Sequence, residues 1–432
     1  MKKLLSGSIP LKFLLLLSTA YVASGINMQG FLAMMPLVRE DFALTRAQAG
    51  LYSTFYFSSA TAVALFSGRV VDRAGSKKGI VFGAGSVGLI MIIHSLAPVF
   101  SLLLFMALLA GIGFSIITPS VNKAVMKKVP PGSRAISMGI MQSGGGIGGF
   151  IGASLLPFIG VRFGWRTALM MSGSAALIIA LFLNRFYFDI EKSDVPEQKK
   201  IDTQNERANN DSFDEGENRS SRNETNQSEL SFKNSFLHLV KNGKLLSVCF
   251  IGLVFSLATG AIPTHFTLYL TQDLQVSGAA AGLGFGFLEI GGVVGRPFWG
   301  GFSDKVLSGS RSRGLLIMGV LITAALIYFS FVITLFTPAL VLVYISSFFL
   351  GLLGLGWQGL HLTTVAELAT EKFTGMATGL ALVFIRIGIV VSPPVFGWLA
   401  DTTSTYFHSW LIAGIFILFF TGVFFLIFRR LF

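Results

Sequence analysis

Two apolar stretches carry charges that such surroundings rarely tolerate. "GLALVFIRIGIVVSPP", from Gly379 to Pro394, holds a single ionisable residue, Arg386. "GLGFGFLEIGGVVGRPFWGGFSDK", from Gly282 to Lys305, holds Glu289 and Arg296 ahead of its polar end. On a helix Glu289 and Arg296 share one face, two turns or about 10 Å apart. A pair of guanidinium groups suits a carboxylate or a similar anion, because each planar fork can engage two oxygens at once. A carboxyl group at this depth has two roles open to it. It can be the counter-ion of an arginine, or it can carry a proton, since burial and a nearby arginine act on its charge in opposite senses. Plainer readings stand beside these: Arg296 as a structural arginine, and Arg386 as a neutralising partner of Glu289.

The surroundings give these charges their meaning. The chain has 432 residues, 53% hydrophobic and 12% charged, with a mean hydropathy of +0.71. That is too little charge for a water-soluble surface of this size. The apolar residues come in runs of about twenty, the thickness of a bilayer core. The expected fold is an all-α polytopic membrane protein of twelve transmembrane helices, at roughly 11–36, 47–71, 79–97, 99–124, 135–160, 166–188, 244–270, 279–302, 314–336, 338–364, 374–399 and 409–428. The basic N-terminus imitates a signal peptide, but its apolar run continues to about Pro36 and reads as a retained first span. The sole cysteine, Cys249, cannot form an internal disulfide.

Charge orients the spans. With the N-terminus inside, roughly 28 basic residues fall on or near the inner face and about 4 outside. The net charge of +12 therefore reflects membrane orientation, and a nucleic-acid partner is not expected. Both termini are placed in the cytoplasm of a cell whose plasma membrane, the inner membrane in bacteria, holds the chain. Residues 189–243 are rich in Glu, Asn, Ser and Lys, cannot bury a core, and read as a disordered cytoplasmic linker. They divide an N-terminal six-helix bundle, 1–188, from a C-terminal one, 244–432.

A repeat joins the two halves. "GRVVDRAGSKKG", Gly68 to Gly79, lies between spans 2 and 3; "GGFSDKVLSGSRSRG", Gly300 to Gly314, lies between spans 8 and 9. Each sets a glycine four residues before an Asp–basic pair, so glycine and aspartate share a helix face. The first copy resembles the signature loop of the major facilitator superfamily, with Gly68, Asp72, Arg73, Gly75, Lys77 and Lys78 at its positions. Gly300, Asp304 and Lys305 match the weaker second copy. The resemblance covers the whole chain and implies two pseudo-symmetric six-helix bundles that work as a monomer. It also implies that Asp72 and Asp304 face the starts of spans 11 and 5, where Ala135 and Gly139 correspond to Gly375 and Gly379. Gly68, Asp72, Arg73, Lys77, Asp304, Lys305 and Arg134 are then a latch on the outward-open state and do not touch substrate.

Two further patterns need weighing. In "GIMQSGGGIGGFIGASLLP" of span 5, Gly139, Gly148 and Gly152 partly match the superfamily's antiporter pattern. Ala153 stands where its proline belongs, and close helix packing explains the glycines equally well. "IVFGAGSVG" contains a GxGxxG, Gly83 to Gly88, but a dinucleotide fold wants an acidic residue about 20 positions on. None occurs between Asp72 and Asp189, so this is a packing face of span 3.

"RPFWGGFSD", beginning at Arg296, resembles span 8 of the oxalate:formate antiporter family and its monocarboxylate-transporting relatives. Those oxalate transporters carry a lysine midway along span 11, where Arg386 lies within about one residue when Gly379 is used to align. The resemblance implies that Arg296 and Arg386 converge on an anion near the midplane; the buried carboxyl group of Glu289, read from its surroundings, is the candidate for proton coupling. It implies that spans 1, 4, 7 and 10 bound the cavity, which makes Asn27, Gln29, Asn122, His265, Trp357, Gln358 and His361 candidate lining residues, with Gln142 on span 5. Interhelical hydrogen bonding explains any single one of them as well.

The expected function is secondary active transport of a small organic anion by alternating access, proton-coupled if Glu289 titrates. Proton-coupled efflux of hydrophobic or cationic compounds is the other transport reading, and a transporter-derived membrane sensor a third. No nucleophile–base pair, metal-ligand cluster or cofactor pattern stands out, so neither an enzyme nor a bound cofactor or metal is expected.

Overall fold

The computed structural model describes residues 11–129, 134–187, 239–308, 310–336, 339–369 and 374–431. Twelve long helices run through it. The first half holds α1 (Leu11–Ala33), α2 (Arg46–Ala74), α3 (Ser76–His94), α4 (Phe100–Lys128), α5 (Arg134–Phe163) and α6 (Trp165–Phe186). The second holds α7 (Gly243–Gln272), α8 (Gly278–Lys305), α9 (Arg311–Phe336), α10 (Leu340–Leu368), α11 (Thr374–Thr403) and α12 (Phe407–Leu431). A short helix, Met35–Asp41, follows α1. Most of the expected linker lies outside the described residues. Its end does not: Leu239 is buried in the core, and Asn242 caps α7 by accepting from the N–H groups of Lys244 and Leu245.

Eleven of the twelve helices have the length and apolar character to cross a membrane. The exception is α2, 29 residues long and more polar than the others. Its polar groups have partners in the other half: Ser53 bonds Thr264 at 2.7 Å, and Thr54 donates to the Val390 carbonyl at 2.7 Å. A helix that meets protein on its polar face need not be apolar all round.

The packing repeats between halves. α1 lies on α5, α2 on α4, and α3 on α6; correspondingly α7 lies on α11, α8 on α10, and α9 on α12. The halves join along two seams, α2 with α11 and α8 with α5, which the same symmetry relates. Small residues set these distances. A Cβ on Gly148 or Gly152 would strike the backbone of Val22 or Ile26 on α1. The glycine run of α5 therefore serves close packing, as does GxGxxG in α3, where Gly83 meets Ile117 of α4 and Gly88 meets Gly173 of α6.

Two helices depart from regularity, and side chains satisfy the freed carbonyls, as a membrane interior demands. α10 breaks at residues 355–357. Thr259 donates to the Gly354 carbonyl and Trp299 to that of Leu352, while Trp357 donates to Thr259. α9 contains a π-helical turn, Phe329–Ile333, where Thr334 donates to the Phe329 carbonyl at 2.8 Å.

Candidate functional site

The end where α6 finishes and α7 begins is called here the linker end, and the opposite one the far end. At the far end both seams are shut. Thr45 caps α2 in a capping box with Gln48, and the start of α2 rests on the last turns of α11. The Asp401 carboxylate accepts the N–H groups of Arg46 and Ala47, each at 2.9 Å. The Arg46 side chain donates to Gln272 at 2.9 Å and to the Ala400 carbonyl at 2.7 Å. Gly50 and Gly397 admit the other half's backbone so closely that a Cβ would collide with Pro393 and Arg46. On the second seam Gly282 meets Pro157, and Gly286 meets Ser154 and Phe150.

Toward the linker end the seams part. Gly68, Gly139, Gly300 and Gly379 have nothing within 4 Å of the position of a Cβ. The molecule is therefore a cleft, closed at the far end and open at the linker end. The aspartates of the repeated loops pair within their own halves: Asp72 with Lys123 at 3.0 Å, and Asp304 with Arg311, which also binds Glu367. Among the described residues, neither forms an ion pair with the opposite half. Lys123 also donates to the carbonyls of Val71 and Asp72 at the end of α2. Gly75, at φ 89°, is the only residue between α2 and α3, a backbone that glycine alone adopts without strain. Arg73 thus lies in the last turn of α2 and Lys77 in the first turn of α3; Lys305 is the last residue of α8. Arg134 begins α5, but its side chain lies outside the described residues.

The buried charges mark where each seam opens. Glu289 sits in the closed part of the α5–α8 seam, 7% exposed, beside Gly149. Gln29 of α1 donates to its Oε1 at 2.7 Å, across the two halves. One turn on, Val293 packs on Gly146, whereas Gly139, two turns further along α5, has nothing within 4 Å of a Cβ position. Arg296 follows and is exposed, without a hydrogen bond or ion pair among the described residues. It lies within electrostatic reach of Glu289 but forms no salt bridge with it. The antiparallel register, 289 beside 149 and 293 beside 146, sets the exposed Gln142 level with Arg296.

On the other seam the contacts run from Gly397 through Pro393 and Val390 to Arg386, whose guanidinium lies 5.9 Å from the Phe57 ring centre. Arg386 is half-buried and has no hydrogen bond or ion pair among the described residues. The Tyr56 hydroxyl is within its electrostatic reach and is itself buried without a well-formed hydrogen bond. The plainer alternative, a neutralising pair between Arg386 and Glu289, does not form among the described residues; Gln29 donates to the carboxylate instead.

Several expected lining residues are elsewhere. His361 is fully enclosed between α7 and α10, bonded to the Val248 carbonyl at 2.8 Å and set against Trp357. Asn27 is enclosed and donates to the Ala23 carbonyl at 2.7 Å. His265 bonds Tyr406 and the Pro393 carbonyl. His94 is enclosed beside Tyr52. Asn122 and Gln358 are half-buried, and the Asn122 Oδ1 lacks a partner. The sequence reading missed the far-end seal. Its one local sign is the T-x-x-Q of Thr45 and Gln48; nothing local ties Asp401 to it.

Residues 17–366 and 269–431 match the Major Facilitator Superfamily. The chain belongs to this superfamily. It is a multi-pass membrane transporter built on that fold. The hexuronate transporter of Bacillus subtilis (strain 168) is 24% identical over 412 residues, 94% of this chain and 91% of that one. A probable sulfoacetate transporter of Cupriavidus necator is 24% identical, over 88% of this chain and 84% of its own. Among solved structures, a bacterial homologue of the human lysosomal transporter Spinster, inward-facing and occupied, superposes with a TM-score of 0.75 at 16% identity and covers 98% of both chains.

Proposed function

We propose that this superfamily member is a secondary transporter for a small organic anion, which binds in the cleft between Arg296 and Arg386. One observation carries the reading: two arginines in membrane-spanning helices form no salt bridge among the described residues, each where a seam opens. Charges at such depth are rare and face a cavity or a partner; here the cleft is what they face. Relatives that carry hexuronate and sulfoacetate support an oxyanion ligand. Gln142, level with Arg296, and the Tyr56 hydroxyl near Arg386 supply neutral polar groups for the rest of such a molecule. Glu289, the carboxyl group on the Arg296 face of α8, is the proposed proton-coupling group. Gln29 already engages it, which leaves a cationic substrate without a free carboxylate there and weakens the efflux reading.

Transport then runs by alternating access: the present linker-end opening closes as the far-end seal parts. Asp72 and Asp304 would turn to the starts of α11 and α5 in that second state, with Gly68, Arg73, Lys77, Lys305 and Arg134 around them. The placement proposed is a plasma membrane with the linker end in the cytoplasm.

The test is a thermal-shift panel on the purified protein with hexuronates, sulfonated and simple carboxylates, and inorganic anions. A ligand of the folded state raises the melting temperature by mass action. Stabilisation by an anion class in the wild type, lost in Arg386→Ala and in Arg296→Ala, is the expected result. If both variants bind and take up every anion as the wild type does, the anion site is wrong. If lipophilic cations alone stabilise the wild type, efflux replaces it.

A further inference from the structure

The outer surface of the second half carries an apolar groove between α9 and α12 that the transport reading does not use. It has a volume of about 590 Å³ and is lined by Leu316, Ile317 and Val320 of α9 and by Leu418, Gly422 and Phe425 of α12. These residues lie on the linker-end halves of both helices, so the groove belongs to one leaflet. Gly422 has nothing within 4 Å of a Cβ position, and Val320, Leu418 and Phe425 are exposed.

Arg313 lies on the same face of α9, about one turn from this groove toward the linker end. Positions 313, 316, 317 and 320 follow the i, i+3, i+4, i+7 spacing of one helix face. Arg313 is exposed and has no hydrogen bond or ion pair among the described residues. Its neighbour Arg311, by contrast, is held by Asp304 and Glu367. The sequence adds Arg429 and Arg430 in the last turn of α12 at the same end. An apolar trough leading to a free guanidinium at the level of lipid headgroups has the chemistry of an anionic lipid, since basic groups between membrane helices recognise such headgroups.

We propose that the α9–α12 groove holds an acyl chain of an anionic phospholipid whose phosphate is bound by Arg313. A second copy of the chain fits less well. A two-fold contact through this patch would bring the same surface of both molecules together, and with it two sets of arginines.

The experiment uses the full chain, reconstituted in bilayers of equimolar phosphatidylglycerol and phosphatidylcholine. Lipids that remain bound are counted by native mass spectrometry. The wild type is expected to retain phosphatidylglycerol in preference. Arg313→Gln should lower the ratio of phosphatidylglycerol to phosphatidylcholine about fivefold, the weight of one arginine at an anionic surface. Gly422→Leu, whose Cβ would have nothing within 4 Å, puts an isobutyl group into the groove and should lower retention of both lipids. An equal ratio in wild type and Arg313→Gln overturns the proposal. So does a wild-type dimer that Gly422→Leu dissolves, which would give the groove to a second copy.

Discussion

Arg386, Glu289 and Gln29 are each placed by one or two contacts, so single substitutions separate their roles. The Arg386 guanidinium lies 5.9 Å from the Phe57 ring centre and has no hydrogen bond or ion pair among the described residues, so its fork is free for an oxyanion. Arg386→Lys keeps the charge and loses the second donor arm. Anion affinity should fall roughly tenfold or more, the weight of one hydrogen bond to a charged group, as isothermal titration would show. Glu289→Gln keeps an acceptor for Gln29 and removes the ionisable group. If Glu289 carries the coupled proton, this variant in proteoliposomes should lose accumulation driven by a pH gradient yet retain exchange of substrate across the membrane. Accumulation that survives would leave Glu289 a structural partner of Gln29. Gly148→Ala tests packing alone: its methyl meets the α1 backbone at Val22, and overpacking of this kind costs about 1–3 kcal/mol. A lower melting temperature in detergent with unchanged substrate preference is the expected result.

Between elements, the strongest local design is the meeting of α2 and α11. The start of α2 presents unsatisfied N–H groups and the positive end of a helix dipole, and a carboxylate from the other half fills both needs. Asp401→Asn removes the charge and leaves one acceptor oxygen. Such helix-end interactions contribute about 0.3–2 kcal/mol, enough to move a balanced pair of conformations severalfold toward opening at the far end. Spin labels at Glu40→Cys and Gln275→Cys, both exposed at that end, would report it. The distance distribution should gain a longer population in Asp401→Asn. An unchanged distribution would mean that the close approaches at Gly50 and Gly397 hold the seal unaided.

For the whole molecule, the register of the α2–α11 seam makes a prediction about closure. Position 50 stands beside 393 and 54 beside 390, so Ala64 comes level with Gly379 when the halves meet at the linker end. In the present open state a disulfide between Ala64→Cys and Gly379→Cys should not form. Cycling with substrate should close the halves and allow it, and oxidation should then arrest uptake until a reductant is added. Cys249 is buried and does not compete. Rapid oxidation in the absence of any substrate would show that the closed state dominates at rest.

Composition and the length of the apolar runs were enough to determine the membrane and the helices, because the bilayer leaves a chain few ways to satisfy its backbone, while the pseudo-symmetric pairing was implied by the resemblance of the repeated loops. Spacing alone set Glu289 and Arg296 on one face of α8. The sequence also set the repeated loops, down to Gly75 in a turn that needs a positive φ. Which polar residues meet was another matter. His361 and Asn27 looked like cavity groups, but rotation of α10 and α1 about their axes turned both into the packing. Gln29 and Glu289, 260 residues apart, met because α1 and α8 cross where Gly149 leaves room. Asp401 became a cap for α2 only when the halves leaned together at the far end. Such pairings depend on helix rotation and on the tilt between halves. Both follow from the sum of many small contacts across the interface, which no local stretch of sequence records.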